Sequence, residues 1–327
     1  MDADWKTLRR LRAGFLAGTA GKRDYWQSLS DLAQYDATFA QRISWKWDFV
    51  LNDLQQLGWQ PPGGTLLDWG CGSGVASRAF LDHFGAQTTS ELWLSDQSSL
   101  AVQFAQNRAI EKYPQLKIQR GHPEKVDLLI ISHVLTELAP RETNKVVALA
   151  NSATAVLWVE PGTFETSRNL IAIRERLRDE FHIVAPCPHR ARCGVLAAGN
   201  ESHWCHQFAV PPEFVFTDPF WMQFSRTMEI DLRSLPLSYL VLDRRPVAAL
   251  PANAVRILGR PEILKPHVSM LGCSASELKL GELARRDHSD DYRQFKKGRC
   301  PSLQCWECEG TRIKSWKDFR VPGSDPA

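Results

Sequence analysis

The stretch Leu66-Leu67-Asp68-Trp69-Gly70-Cys71-Gly72-Ser73-Gly74 decides how this chain is read. An apolar run ends in an acid and then in three alternate glycines, which predicts a strand, a tight turn and a helix start. Gly70, Gly72 and Gly74 let the backbone approach a ligand where a Cβ would collide, and Asp68 at the strand end can meet a ligand amine or hydroxyl. Such a turn builds a nucleotide-type pocket. The dinucleotide fingerprint needs a glycine three residues after its second glycine. Counted from Gly72 that position is Val75, which disfavours a nicotinamide or flavin site.

Outward from this turn the pattern alternates strand and helix. Strands are predicted at residues 65–69, 92–95, 116–119, 126–132 and 155–160, and helices at 75–84, 98–110, 142–150 and 164–181, which make a doubly wound parallel sheet. The spacing Asp-x-Gly-x-Gly-x-Gly resembles motif I of class I S-adenosylmethionine-dependent methyltransferases. Asp96, ending the second strand, stands at the distance where such folds hold ribose hydroxyls, and it also suits an N-terminal cap of the helix after Ser98. The expected S-adenosylmethionine site is therefore Asp68, Gly70, Cys71, Gly72, Gly74 and Asp96.

Composition bounds the rest. The chain has 327 residues, 43% hydrophobic, which allows one large α/β domain with a smaller companion. No apolar run reaches the roughly 18 residues of a membrane helix, and Asp2 and Asp4 stand where a targeting peptide avoids acids, so a cytoplasmic protein without membrane contact is expected. A net charge of +3 does not by itself indicate nucleic-acid binding, although basic residues gather at Lys6 to Arg12 and Arg293 to Arg320. Eight cysteines without a secretory signal suggest thiols or metal ligands, not disulfides.

Two features depart from ordinary methyltransferases. After the third strand Gly121, His122, Pro123 and Glu124 lead straight into the fourth, leaving no room for a crossover helix and making the adenine pocket shallow. After the fourth strand comes Ser132-His133-Val134-Leu135-Thr136-Glu137-Leu138, where an amino-group methylase presents Asn/Asp-Pro-Pro-aromatic and a cytosine-C5 methylase Pro-Cys. His133 or Glu137 could serve as a base; ordering the adjoining helix is the plainer role for each. No catalytic residue is assigned.

The next stretch carries a family resemblance. Val159-Glu160-Pro161-Gly162-Thr163, then Ala185-Pro186-Cys187-Pro188-His189, Cys193, and Trp204-Cys205-His206 resemble a methyltransferase-like family of small-subunit ribosome assembly factors found in bacteria and mitochondria. The likeness continues through 237–244 and 256–273 and covers most of residues 60–298. It implies a class I methyltransferase fold that binds S-adenosylmethionine, a cysteine-bound iron-sulfur cluster, and docking on small-subunit rRNA during assembly, with no DNA partner.

The cysteines support that chemistry on their own terms. Cys187, Cys193, Cys205 and Cys273 lack the Cys-x2-Cys knuckles of zinc ribbons, and ligands from separate loops suit a cuboidal cluster, such as [4Fe-4S], better than zinc, which stays the alternative. His189, His203 and His206 are placed around the site, not in it. Downstream, Cys300, Cys305 and Cys308 have the Cys-x4-Cys-x2-Cys spacing of plant-type iron-sulfur sites without a fourth cysteine. They could hold a second metal with His288 or with a residue of a partner, exchange with Cys273, or face solvent as free thiols.

The expected organisation is a helical N-terminal cap (1–60), a methyltransferase-like domain (61–250) with an inserted cysteine loop (186–206), a small β-rich module (251–298), and a basic cysteine-containing tail (299–327) with aromatics suited to rRNA. Trp26, Trp45 and Trp47 in the cap either stack on bases or pack the cap down.

Overall fold

The computed structural model describes residues 3–18, 25–275 and 277–319; Asp2 and Arg320 lie outside them. In chain order, helices α1 (Trp5–Leu16), α2 (Leu29–Asp36) and α3 (Phe39–Gln56) come first. Then follow β1 (Thr65–Trp69), α4 (Val75–Phe84), β2 (Glu91–Ser95), α5 (Ser99–Lys112), β3 (Lys117–Arg120), β4 (Leu128–Ser132), α6 (Pro140–Ser152) and β5 (Ala155–Pro161). Next are α7 (Phe164–Leu177), β6 (His182–Ala185), β7 (Gln207–Ala209), α8 (Pro219–Met228) and β8 (Leu235–Asp243). Strands β9 (Ala254–Ile263), β10 (His267–Ser274) and β11 (Glu277–Ala284), helix α9 (Ser289–Lys296), and strands β12 (Leu303–Glu309) and β13 (Arg312–Asp318) complete the described chain.

The chain divides into two compact units, the first comprising Met1–Asn52, Pro61–Glu160 and Ala209–Pro236. Its sheet runs β3-β2-β1-β4-β5 with all strands parallel. Leu128 to Ile131 of β4 and Ala155 to Glu160 of β5 are buried without a break, as both-face coverage of a parallel sheet requires. The chain moves outward from β1 through β2 to β3 and returns on the other side as β4, so the carboxyl ends of β1 and β4 meet where the winding reverses. In open α/β sheets ligands sit in that crevice. As the sequence implied, no helix separates β3 from β4.

Capping residues fix the N-terminal helices: Asp4 accepts from the backbone N–H groups of Lys6 and Thr7, and Ser28 from that of Asp31. Their aromatics pack on α8, with Phe39 5.2 Å from Phe224 and Trp45 5.1 Å from Trp221, ring centre to ring centre. Trp26, Trp45 and Trp47 are all buried, so of the two readings offered above packing holds and base stacking does not.

The second unit comprises Asp53–Gln60, Pro161–Phe208 and Leu237–Ala327. In it β8 pairs antiparallel with β6, and β9 to β13 close a five-stranded barrel in the order β10-β11-β13-β12-β9. Residues 303–318, read from their charge as part of a basic tail, are instead two barrel strands whose inner side chains Leu303, Trp306 and Ile313 are buried in its core. Gly272 and Gly281 make room for that core, since a Cβ on either would stand under 3.0 Å from the Trp306 ring.

Candidate functional site

In the first unit the glycine turn after β1 has the geometry its sequence demands. Gly70, Gly72 and Gly74 all take left-handed backbone angles, with φ of 70°, 52° and 75°. A Cβ on Gly70 would meet Val134 at 2.7 Å and one on Gly74 would meet Ala105 at 2.9 Å, so those two glycines serve packing. Gly72 differs: nothing lies within 4 Å of its missing Cβ, which points into open space above the sheet. Of the three it is the position at which a side chain would meet no neighbour.

The two acids have unlike roles. Asp68 is fully buried; its Oδ2 accepts from the Ser77 hydroxyl at 2.6 Å, tying β1 to the first turn of α4. Burial raises its pKa to about 6, and its Oδ1 has no hydrogen-bond partner among the described residues. Asp96 lies at the opposite lip of the turn, where Oδ2 accepts from Gly72 N–H and Oδ1 from Ser98 N–H, both at 2.9 Å. Ser98 itself caps α5. Asp96 thus fixes the turn through backbone amides, and Cys71 is a buried thiol inside it.

Around the end of β4 the structure joins the sequence candidates His133 and Glu137 to a residue that the sequence did not announce, Lys46. His133 takes a left-handed φ of 56°, and its Nε2 lies 3.2 Å from the Lys46 ammonium of α3. Its Nδ1 is 3.2 Å from Ser132 Oγ, which also accepts from Trp47 Nε1 at 3.0 Å. Burial, with the nearby Arg42 charge, lowers the Lys46 pKa to about 7; burial and the Lys46 charge hold His133 neutral. Glu160, fully buried on β5, accepts from Val134 N–H, Leu135 N–H and Trp158 Nε1 through one oxygen, and burial raises its pKa to about 7. Glu137 is likewise raised to about 7 by burial and then by Asp96. Ser132, His133 and Glu160 therefore bind the β4 end to α3 and to the following turn.

In the second unit four elements bring together the four predicted cysteines. Cys187 follows β6, Cys193 precedes a short turn of helix at 194–196, Cys205 precedes β7, and Cys273 lies near the end of β10. Cys193 and Cys273 share an apolar cluster with Ile171, Val195 and Leu258, against which Cys205 packs. Arg174 of α7, only 2% exposed, donates from Nε to Cys187 Sγ at 3.2 Å and from Nη2 to the His189 and Ala191 carbonyls. Arg256 of β9, 1% exposed, donates to the Pro186 carbonyl at 2.8 Å and grips Asp53 through two bonds of 2.7 and 3.0 Å. The Cys205 carbonyl accepts from Ser167 and Ser238.

Two buried guanidinium groups thus stand beside the thiols, each paired with a carboxylate, Arg174 with Glu175 and Arg256 with Asp53. Burial, with the neighbouring Cys187, pushes Cys193 up to about 11 and likewise raises Cys205 and Cys273 well above the ordinary thiol value. His189 has one ring nitrogen 3.6 Å from Cys273 Sγ and the other buried without a partner. Among the described residues no three His, Cys, Asp or Glu side chains converge closely enough to hold a single metal ion.

The other cysteine motif is dispersed by the barrel. Cys300 packs against the barrel core, accepting from Gln304 at 3.2 Å, whereas Cys308 is exposed and His288 faces Asp291 at 3.4 Å. Among the described residues Cys300, Cys305 and Cys308 form no group that could hold a metal ion: Cys300 precedes β12 and packs on the barrel core, while Cys305 and Cys308 lie on β12. Nor do they exchange with Cys273, which stands in the other cluster.

Comparison with known proteins adds a family. A family model described as mitochondrial small ribosomal subunit Rsm22 matches residues 49–300, most of the chain. The chain belongs to the Rsm22 family. The match spans the glycine turn and all four clustered cysteines. A comparison with curated protein sequences gives no significant match. Among solved structures, magnesium protoporphyrin IX methyltransferase from Synechocystis with bound S-adenosylmethionine is 17% identical over 75% of this chain and 99% of its own, at a TM-score of 0.39. A methyltransferase dependent on S-adenosylmethionine from Aquifex aeolicus is 14% identical over 48% and 90%, at a TM-score of 0.36. Strand order, and not these distant overlaps, defines the methyltransferase-type fold of this Rsm22 protein. No helix of the described residues is long and apolar enough to cross a membrane.

Proposed function

We propose that this Rsm22-family protein is an assembly or translation factor of the small ribosomal subunit, which docks on small-subunit rRNA with S-adenosylmethionine in the glycine turn and an iron-sulfur cluster on Cys187, Cys193, Cys205 and Cys273. The observation that carries this reading is that one family match, to a small-subunit family, spans both centres. The compartment we assign is whichever holds that subunit, the cytoplasm of a bacterium or the mitochondrial interior that the family description names.

The residues fit both groups. S-adenosylmethionine supplies an electrophilic methyl on sulfur together with an amino-acid end and a ribose. Gly72 leaves space for such a molecule, Asp96 rims it, and the lone oxygen of Asp68 is an unmet acceptor beneath it. For the cluster, Cys193, Cys205 and Cys273 in one apolar cluster and Cys187 beside Arg174 would supply the ligands. The choice of a cluster over zinc rests on the family likeness and on ligands drawn from separate loops without Cys-x2-Cys knuckles. Bound there, the cluster would tie β10 to the 187–205 segment, and its binding energy would be folding energy.

A second reading is an active rRNA methyltransferase. Lys46 and Glu137, both brought to about 7 beside the β4 end, favour it, since groups poised near neutrality move protons readily. Against it, the Ser132–His133 corner where a catalytic group would stand is occupied in holding α3. The test is anaerobic purification with iron, sulfide and zinc analysis, followed by calorimetric titration with S-adenosylmethionine. Iron and sulfide in equal amounts together with cofactor binding support the proposal. Zinc alone, or no cofactor binding by folded protein, overturns the corresponding half.

A further inference from the structure

The barrel of the second unit carries a site of its own. Numbered from β9, its strands close in the order 1-2-3-5-4, with α9 inserted between the third and fourth and with β11 and β13 running parallel while the other pairs are antiparallel. That is the topology of the oligonucleotide- and oligosaccharide-binding barrel, which takes ligands on the face of strands two and three and between its 1-2 and 4-5 loops. Topology alone does not assign a function, so the surface itself has to decide.

Here the β10-β11 face is divided. At one end Leu271, Cys273 and Leu278 belong to the thiol cluster and are covered. At the other end, where His267 pairs with Ala284 and Ser269 with Glu282, a groove of about 650 Å³ opens. Its walls are Lys265 and Pro266 of the β9–β10 loop, Arg285 and Arg286 after β11, Arg293 on α9, and Arg312 beside the β12–β13 turn.

Five cations face one lining carboxylate, Glu282. Three of them meet acids just outside the groove: Arg293 with Asp290 at 2.9 Å, Arg312 with Asp287 at 2.5 Å, and Arg286 with Asp287 at 3.6 Å. Pairs of this exposed kind are worth little and exchange readily for a phosphate. Arg285 instead lies 5.1 Å over the Tyr292 ring. The walls are also held in place before any ligand arrives: Tyr292 donates to the Leu264 carbonyl at 2.9 Å, and Arg285 N–H to the Pro266 carbonyl at 2.9 Å. Among the described residues that line the groove the only aromatic ring is the imidazole of His267, 3.8 Å from the Glu282 carboxylate; no Phe, Tyr or Trp offers bases a stacking platform, and the main recognition elements are guanidinium and ammonium groups. A recess bounded by a loop, a strand end and a helix admits one strand of phosphates more easily than a duplex.

We infer that this groove binds the phosphate backbone of a single-stranded RNA segment without reading its sequence. The inference rests on the rRNA-docking reading above and names the surface that does the docking. It is tested on the full-length protein by fluorescence anisotropy with a labelled uridine homopolymer of about ten nucleotides at several salt concentrations. Contact with about three phosphates predicts a slope near −2 for log affinity against log salt. Lys265→Glu with Arg285→Glu should weaken binding by at least about tenfold and flatten the slope, with unchanged thermal unfolding. Lys297→Glu, at the end of α9 outside the groove, should leave binding unchanged. If the double reversal disturbs folding, Lys265→Gln and Arg285→Gln are measured singly, each with an expected loss of about threefold. Unchanged affinity and slope in folded variants overturn the inference, as does equal binding of a duplex of the same length. Small-subunit cosedimentation lost by the double variant while homopolymer binding persists assigns the groove to a protein surface, which also overturns it. Failure of the unaltered protein to cosediment with small subunits, with homopolymer binding intact, removes the docking reading and leaves the groove assignment standing.

Discussion

Asp53→Ala should destabilise the second unit severely. Asp53, in the last turn of α3, holds Arg256 through two hydrogen bonds and accepts from the Tyr239 hydroxyl at 2.8 Å; both members of the ion pair are nearly inaccessible, at 5% and 1% exposure. Removing the carboxylate leaves a buried guanidinium without its counter-charge, a loss of about 3–5 kcal/mol. The stranded Tyr239 hydroxyl adds about 1 kcal/mol. For a unit of this size about 2–4 °C accompanies each kcal/mol, so the main term alone lowers the melting temperature by roughly 6–20 °C. The effect should reach the cysteine centre, because Arg256 also donates to the Pro186 carbonyl, one residue before Cys187. Replacing both partners with apolar residues, Asp53→Leu with Arg256→Met, should recover much of the loss, since it removes the buried charge as well as its partner. Urea and thermal unfolding of the two variants measure this. A folded Asp53→Ala protein within about 1 kcal/mol of the unaltered one would refute the argument that the pair is buried and essential.

Gly72→Val should abolish S-adenosylmethionine binding in calorimetry, because its branched side chain would fill the open space over the turn; retained affinity in a folded variant would remove the pocket assignment. Cys273→Ser should lose iron and visible absorbance while Cys300→Ser keeps both, since Cys273 stands in the thiol cluster and Cys300 against the barrel core; the opposite pattern would exclude Cys273 as a ligand. Lys46 binds its proton more weakly folded than unfolded, so between its folded value of about 7 and its unfolded value near 10.5 the unfolded state carries the extra proton and stability rises with pH. Lys46→Met should flatten that rise in unfolding curves recorded from pH 7 to 9; an unchanged slope would show that Lys46 is charged in the fold.

The first unit was legible because its signals are local. Three glycines at alternate positions can only be a turn, and β4 and β5 are continuous apolar runs that two covered faces require. The four cysteines of the second unit were named from their residue context and the family likeness, but what holds them was not visible. Asp53 and Arg256 are 203 residues apart, and Arg174 reads simply as one of several basic residues ending a helix. Lys46 was hidden for the same reason: its meaning comes from His133, 87 residues away. The barrel was obscured differently, because cysteines at a metal-like spacing and a run of basic residues masked the short strand alternation of β12 and β13. Charge pointed outward from those strands was mistaken for the absence of an inside.

We propose that this protein acts on the small subunit by binding and not by methyl transfer. The most direct measurement incubates the purified protein with immature small subunits and methyl-labelled S-adenosylmethionine, then sediments the mixture and determines protein and labelled RNA in the subunit fraction. Near-stoichiometric protein in that fraction, with no label above a protein-free control, is expected. Label approaching one methyl per subunit, lost with His133→Ala while cosedimentation persists, would contradict it and make the β4 corner a catalytic site.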